Sequence, residues 1–208
     1  MPPHHPASAQ PPAQIVLLRH GETEWSRTGR HTGVTDIALT ERGEQRARAA
    51  APLLAHRTIG LVLASPRQRA IRTAALAGFG EQTQIESDLA EFDYGAYEGL
   101  TSAQIAEQRP GWDLWRDGTP PGATPGETAA DVRARVQRVI DRVLPVVRDG
   151  SDVLLVAHGH VLRALGAAWI GLPPEGGASL VLSTASLSEL GFEHGNHVLE
   201  SWNRVPEE

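Results

Sequence analysis

The chain has 208 residues, a formal net charge of −6 and 40% hydrophobic residues, the composition of one ordinary globular domain with a sizeable core. It has no cysteine, which excludes disulfides, thiolate metal sites and cysteine nucleophiles. All 19 of its basic Lys and Arg positions are arginine, which excludes a lysine phosphate loop and Schiff-base chemistry, so a phosphate site must use Arg, His, backbone N–H groups or a metal.

Met1 to Gln14 carries five prolines and the pair His4-His5 and reads as a disordered tail (1–14), with one domain over 15–208. The start lacks a signal-peptide pattern and no stretch approaches membrane-spanning length, so a cytoplasmic location is expected. Ile15-Val16-Leu17-Leu18 is a continuous apolar run, read as a buried strand. Thr40 is a good N-cap for a helix placing Ala47, Ala50, Ala51 and Leu54 on one face. Leu61-Val62-Leu63-Ala64 reads as a second buried strand, and Pro66 suits the first turn of a helix reaching Ala77. A short strand is expected near Ile85, then a turn-rich segment from Asp88 to Gly126 with a short helix over Ser102 to Gln108. Ala129, Val132, Val136, Val139, Ile140, Val143 and Val147 form a 3.6-residue stripe, the mark of a long helix from Glu127 to Arg148. Val153-Leu154-Leu155-Val156 is a third buried strand, followed by a helix from His160 to Trp169. Ser186 to Glu193 and His197 to Trp202 read as a hairpin turning at Gly195-Asn196.

Strands alternating with helices imply an α/β fold, a three-layer α/β/α sandwich with a mostly parallel central sheet. In such sheets ligands sit beyond the carboxyl ends of the strands. The first strand ends in Arg19-His20, the second leads to Ser65-Pro66-Arg67-Gln68-Arg69, and the third ends in Ala157-His158-Gly159-His160. In a parallel sheet these groups face one crevice, an anion site without lysine or metal. Arginine offers a planar fork that matches phosphate oxygens. A neutral imidazole is a competent nucleophile, and a second, protonated one stabilises transition-state charge. The leaving alkoxide needs a proton, for which Glu91 is the candidate acid. Taken singly, Arg69 reads as a solvated helix residue and His158 as a core histidine; their joint placement changes the balance.

Five segments resemble, in order, the motifs of the histidine phosphatase superfamily, which includes the cofactor-dependent phosphoglycerate mutases. They are Leu18-Arg19-His20-Gly21-Glu22-Thr23-Glu24-Trp25, Ser65-Pro66-Arg67-Gln68-Arg69-Ala70, Glu91-Phe92-Asp93-Tyr94-Gly95, Pro125-Gly126-Glu127-Thr128 and Ala157-His158-Gly159-His160. The resemblance implies a phosphoglycerate mutase-like fold, His20 as the phosphorylated nucleophile, and Arg19, Arg69 and His158 around the phosphate. It implies Glu91 as proton donor and then base for water, with no metal and no cofactor. Thr23, Ser26, Thr32, Gly33, Tyr94, Gly159 and His160 are the expected substrate-side residues, with His160 either lining the pocket or merely starting the helix that follows. Ser26 departs from the asparagine common in the family. Glu22 either touches the site or caps local backbone. Trp112 and Trp115 read as core rather than lid, Arg72 as a solvated face, and His194 with His197 as structural.

The resemblance leaves two activities. Family mutases carry a larger insertion after the acid motif that shields the phosphohistidine from water; here only 35 residues separate Glu91 from Glu127. The expectation is therefore an acid phosphatase-type phosphomonoesterase acting on sugar phosphates and similar small esters. The segments around Trp25–Asp36 and Asp93–Gly99 are similar to actinobacterial broad-specificity acid phosphatases and to sedoheptulose bisphosphatases. The alternatives are a mutase-type phosphotransferase and an inactive phosphate-binding module. An acidic optimum is expected, with Glu91 protonated and His158 charged. The partner is a small phosphate ester, not nucleic acid or a membrane; a homodimer is left open.

Overall fold

The computed structural model describes residues 13–206. The expected tail over residues 1–12, with its His4-His5 pair, lies outside them. Gln14, assigned to that tail, donates its main-chain N–H to Asp152 at 2.7 Å.

The elements follow in the order β1 (Ile15–Arg19), α1 (Glu24–Arg27), α2 (Glu41–Ala49), α3 (Ala51–Leu54), β2 (Ile59–Ala64), α4 (Gln68–Ala74), β3 (Thr83–Ile85), α5 (Ser102–Gln108), α6 (Leu114–Asp117), α7 (Ala129–Arg148), β4 (Asp152–Ala157), α8 (Gly159–Trp169), β5 (Leu187–Glu193) and β6 (Asn196–Arg204). The six strands form one sheet in the order β3-β2-β4-β1-β5-β6. Its first four strands are parallel, and β5 and β6 close one edge antiparallel. Because side chains alternate along a strand, each central strand feeds two cores. Ile15, Leu17, Leu63, Val153 and Leu155 pack under α7 and α8. Val16, Leu18, Val62, Leu154 and Val156 pack against Ala50, Leu54, Ala70 and Ala74 on the other face. These are the three layers that the alternating pattern implied.

Four boundaries differ from the sequence expectation, each for a local reason. The helix after Thr40 is broken at Ala50, because Pro52 has no N–H to continue the ladder and instead sits in the first turn of α3. Pro66 lies outside α4: Arg67 is its extended N-cap, and the Gln68 N–H is capped by the Asp36 carboxylate at 2.9 Å. Helix α7 starts at Ala129 with Thr128 as N-cap in a capping box with Asp131, leaving Glu127 free for another task. The hairpin turns at His194-Gly195, one residue early, both with positive φ (50° and 84°), as a two-residue type I′ turn requires.

Two glycines let the segment after β1 press against α2. A Cβ on Gly21 would collide with the Gly43 carbonyl, and one on Gly43 with the Glu22 main chain. We predict that Gly43→Ala costs about 1–3 kcal/mol by overpacking. Urea unfolding tests this; an unchanged midpoint would show that the contact yields freely.

Candidate active site

The parallel register sets Arg19 of β1 beside Ala157 of β4, and Ala64 of β2 beside Val156. His20, Ser65 and His158, the residues that follow these strands, are therefore neighbours. His20 is locked by the main chain: its N–H donates to the Ala157 carbonyl at 2.9 Å, and its own carbonyl accepts from the Ala185 N–H at 3.1 Å. Thr73 on α4 accepts the Gly21 N–H at 3.1 Å, tying the strand exit to the next helix.

His20 is buried, and its Nδ1 lies 2.7 Å from the Gly21 carbonyl oxygen. A carbonyl only accepts, so Nδ1 carries the proton. Burial first, then the Arg69 and Arg19 charges, hold this imidazole well below its ordinary pKa. The ring is neutral and its Nε2 bears a lone pair, the form needed for nucleophilic attack.

His158 stands 5.0 Å from His20, ring centre to ring centre. Its Nδ1 accepts from Arg69 Nε at 3.1 Å, and its Nε2 lies 2.6 Å from the Ser65 hydroxyl. Burial and the Arg69 charge hold it well below its usual pKa. The expectation of a charged His158 therefore needs correcting for the free protein: an arginine donor occupies the nitrogen that would take the proton. Arg69 is itself fully buried, donating also to the carbonyls of Thr32, Gly33 and Thr35.

The cavity has a volume of about 250 Å³ and is lined by Arg19, His20, Ser26, Thr32, Glu91, Tyr94, Gly159 and His160 among the expected residues. Four expected residues do not line it. Arg69 and His158 are fully buried and bonded to each other, with the His158 ring 5.0 Å from His20. Thr23 is spent on capping α1, its hydroxyl accepting the Ser26 N–H at 3.1 Å. Gly33 is a strut: its N–H donates to Glu98 at 3.0 Å and its carbonyl accepts from Arg69. Glu22 accepts the Thr40 hydroxyl at 2.9 Å, at the cap of α2.

Arg19 bonds the Leu182 carbonyl at 2.5 Å through Nη1, while its Nε is buried with no partner among the described residues. Gly159 keeps the space clear, since a Cβ there would lie 3.2 Å from Arg19 Cζ. Glu91 sits at the start of α8, accepting the N–H groups of Phe92 at 3.0 Å, His160 at 3.0 Å and Val161 at 2.8 Å. Its segment is braced from outside. Glu127 accepts the Asp93 N–H at 2.9 Å and pairs with Arg135, whose Nη1 donates to the carbonyls of Asp88 and Ala90 at 2.7 and 2.6 Å. The Gly126-Glu127-Thr128 motif is thus a support for Glu91.

Gly29, Arg30, His31, Ser102, Arg163 and Leu182 also line the cavity and escaped the sequence reading. Arg163 had a signal: it lies three residues after His160, on the same face of the helix. It is held by the Gly177 carbonyl at 3.0 Å and by the Trp115 face at 5.1 Å. Ser65 could have been found by the same strand-exit logic as His20. Trp115 is core, packed on Phe92 and His160. His194 and His197 belong to no metal-binding cluster among the described residues.

The arrangement sets a fixed neutral imidazole with guanidinium charge and a carboxylate around one small cavity, which suits chemistry on a phosphoryl group. The family model described as the histidine phosphatase superfamily (branch 1) matches residues 15–205. An acid phosphatase of Mycobacterium tuberculosis is 42% identical over 184 residues, 88% of each chain. Sedoheptulose 1,7-bisphosphatase of Saccharomyces cerevisiae is 33% identical, covering 76% of this chain and 68% of that protein. The solved structure of a Mycobacterium tuberculosis open reading frame product superposes with a TM-score of 0.87 at 40% identity, over 94% of this chain and 99% of that one. Among the described residues no helix is long and apolar enough to cross a membrane.

Two outcomes follow from this geometry. Glu127→Gln should cost about 1–3 kcal/mol, the range for hydrogen bonds to charged groups, and lower turnover by loosening the Glu91 segment; urea unfolding with steady-state kinetics checks both, and wild-type turnover would count against the brace. Burial also holds His31 at about 4 and His20, His158 and His160 well below 6.5. Below 6.5 the unfolded chain takes protons that the folded one refuses. The stabilisation is complete above pH 6.5 and shrinks as pH falls towards 4, so Tm should drop across that window; a flat Tm would contradict buried neutral rings.

Proposed function

The chain belongs to branch 1 of the histidine phosphatase superfamily and is a phosphoric monoester hydrolase; we propose that it hydrolyses small phosphate esters, sugar phosphates foremost, through a phosphohistidine on His20 without a metal. The observation that carries this reading is the His20 Nδ1–Gly21 carbonyl bond, which leaves Nε2 without a protein partner among the described residues in a cavity that Arg19 also lines.

In this mechanism the phosphoryl group enters against Arg19, whose guanidinium contributes to the cavity wall. Nε2 of His20 attacks phosphorus, the ester P–O bond breaks, and Glu91 supplies a proton to the leaving oxygen. Water then attacks the phosphohistidine with Glu91 as base, releasing inorganic phosphate and restoring the imidazole. Arg69 and His158 act from behind, as positive charge and as a hydrogen-bonded support. The phosphate dianion raises the proton affinity of His158 on binding. Ser26, Thr32, Gly159 and His160 form the substrate-side wall. The name of the acid phosphatase relative supports a phosphomonoesterase, and that of the sedoheptulose bisphosphatase relative supports sugar phosphates as the substrate class.

Hydrolysis of p-nitrophenyl phosphate should survive a chelator and fall on the order of 10³-fold or more in His20→Ala. With 3-phosphoglycerate and its bisphosphate primer, hydrolysis should exceed conversion to the isomer. Because the His20 pKa is lowered, its active neutral form persists below pH 6.5, so the acid limb of kcat/KM should lie below that value. Activity retained in His20→Ala, loss with the chelator, or an acid limb at or above 6.5 would each refute the mechanism.

A further inference from the structure

Tyr94 and His160 are 66 positions apart and meet in the cavity wall, with the phenol oxygen 2.6 Å from His160 Nδ1. Tyr94 is buried, and Nδ1 is the only hydrogen-bond partner of its hydroxyl among the described residues. A buried hydroxyl proton needs an acceptor, so Tyr94 donates and Nδ1 accepts. Burial keeps the phenol protonated and the imidazole neutral. The single ring proton of His160 is therefore on Nε2. Phe92 and Trp115 hold the ring edge-on at 6.0 and 5.7 Å. Nε2 has no protein partner among the described residues, and the side chain is 23% exposed along the wall it contributes to the cavity. Glu91 Oε2 lies 3.9 Å from Nδ1.

We propose that Tyr94 is a positioning residue that fixes His160 as the Nε2–H tautomer, and that this N–H binds an oxygen of the departing half of the ester. The role of the N–H rests on the phosphomonoesterase reading above. A donor already aimed into the cavity favours an oxygen that gains negative charge as the P–O bond breaks. The other tautomer would turn a lone pair towards that oxygen. Tyr94, expected as a substrate contact, spends its only hydroxyl proton inside the protein.

The test is ¹⁵N NMR of histidine-labelled wild-type protein at neutral pH, with the His160 signals assigned by their loss in His160→Gln. An Nε2–H tautomer is expected in the wild type, and a mixture in Tyr94→Phe. With glucose 6-phosphate, Tyr94→Phe should lower kcat roughly tenfold in the wild-type background, but at most about twofold in the His160→Gln background, whose amide has no tautomer to set. An Nδ1–H tautomer in the wild type, or an equal loss in both backgrounds, overturns the proposal. A wild-type protein that hydrolyses no phosphate ester overturns the phosphomonoesterase reading and the N–H's role with it, whereas NMR reads the tautomer either way.

Discussion

The site depends on the register of three parallel strands. With Arg19 opposite Ala157 and Ala64 opposite Val156, the chain leaves β1 and β4 at one level and β2 one residue earlier. The residue after each strand is then a polar side chain facing its neighbours: His20, Ser65 and His158. Shifting β1 by one residue would turn its outward set to the opposite face. It would exchange Val16 and Leu18 for Ile15 and Leu17 between two cores in which all four side chains are fully buried. The apolar packing of the sheet therefore protects the alignment of the polar groups.

On this frame, burial sets the chemistry as much as charge does. Arg19 and Arg69 supply positive charge around His20, and the same charges with desolvation keep the nearby imidazoles neutral. A neutral ring bonded through one nitrogen has its other nitrogen defined. Gly21 makes His20 an acceptor at Nε2, whereas Tyr94 makes His160 a donor there. Two histidines lining one cavity thus take opposite chemical characters from a single hydrogen bond each.

The loops that complete the cavity are held by buried or half-buried ions as well as by apolar side chains such as Phe92 and Trp115. Glu98 gathers the N–H groups of Gly33 and Thr35, whose carbonyls Arg69 gathers in turn. Glu127 and Arg135 do the same for the segment around Glu91. Loops carry main-chain donors and acceptors that no ladder satisfies. Charged side chains placed among them stop the loops from drifting and leave the cavity walls fixed.

The amino-acid sequence by itself determined the layers and the exits. Short continuous apolar runs bounded by polar or turn residues suit buried strands, so Ile15–Leu18, Leu61–Ala64 and Val153–Val156 announced the sheet, and the polar residues following them announced the site. It did not reveal which side of the wall each residue takes. Thr23, Gly33, Arg69 and His158 are not among the lining residues, while His31, Arg163 and Leu182 line the cavity. Nor did it reveal the protonation of His158 and His160, whose partners are 89 and 66 positions away. Local propensity and periodicity act over a few residues. Side-chain direction, desolvation and tautomer are set by groups that only folding brings together, and those were decided by the tertiary structure.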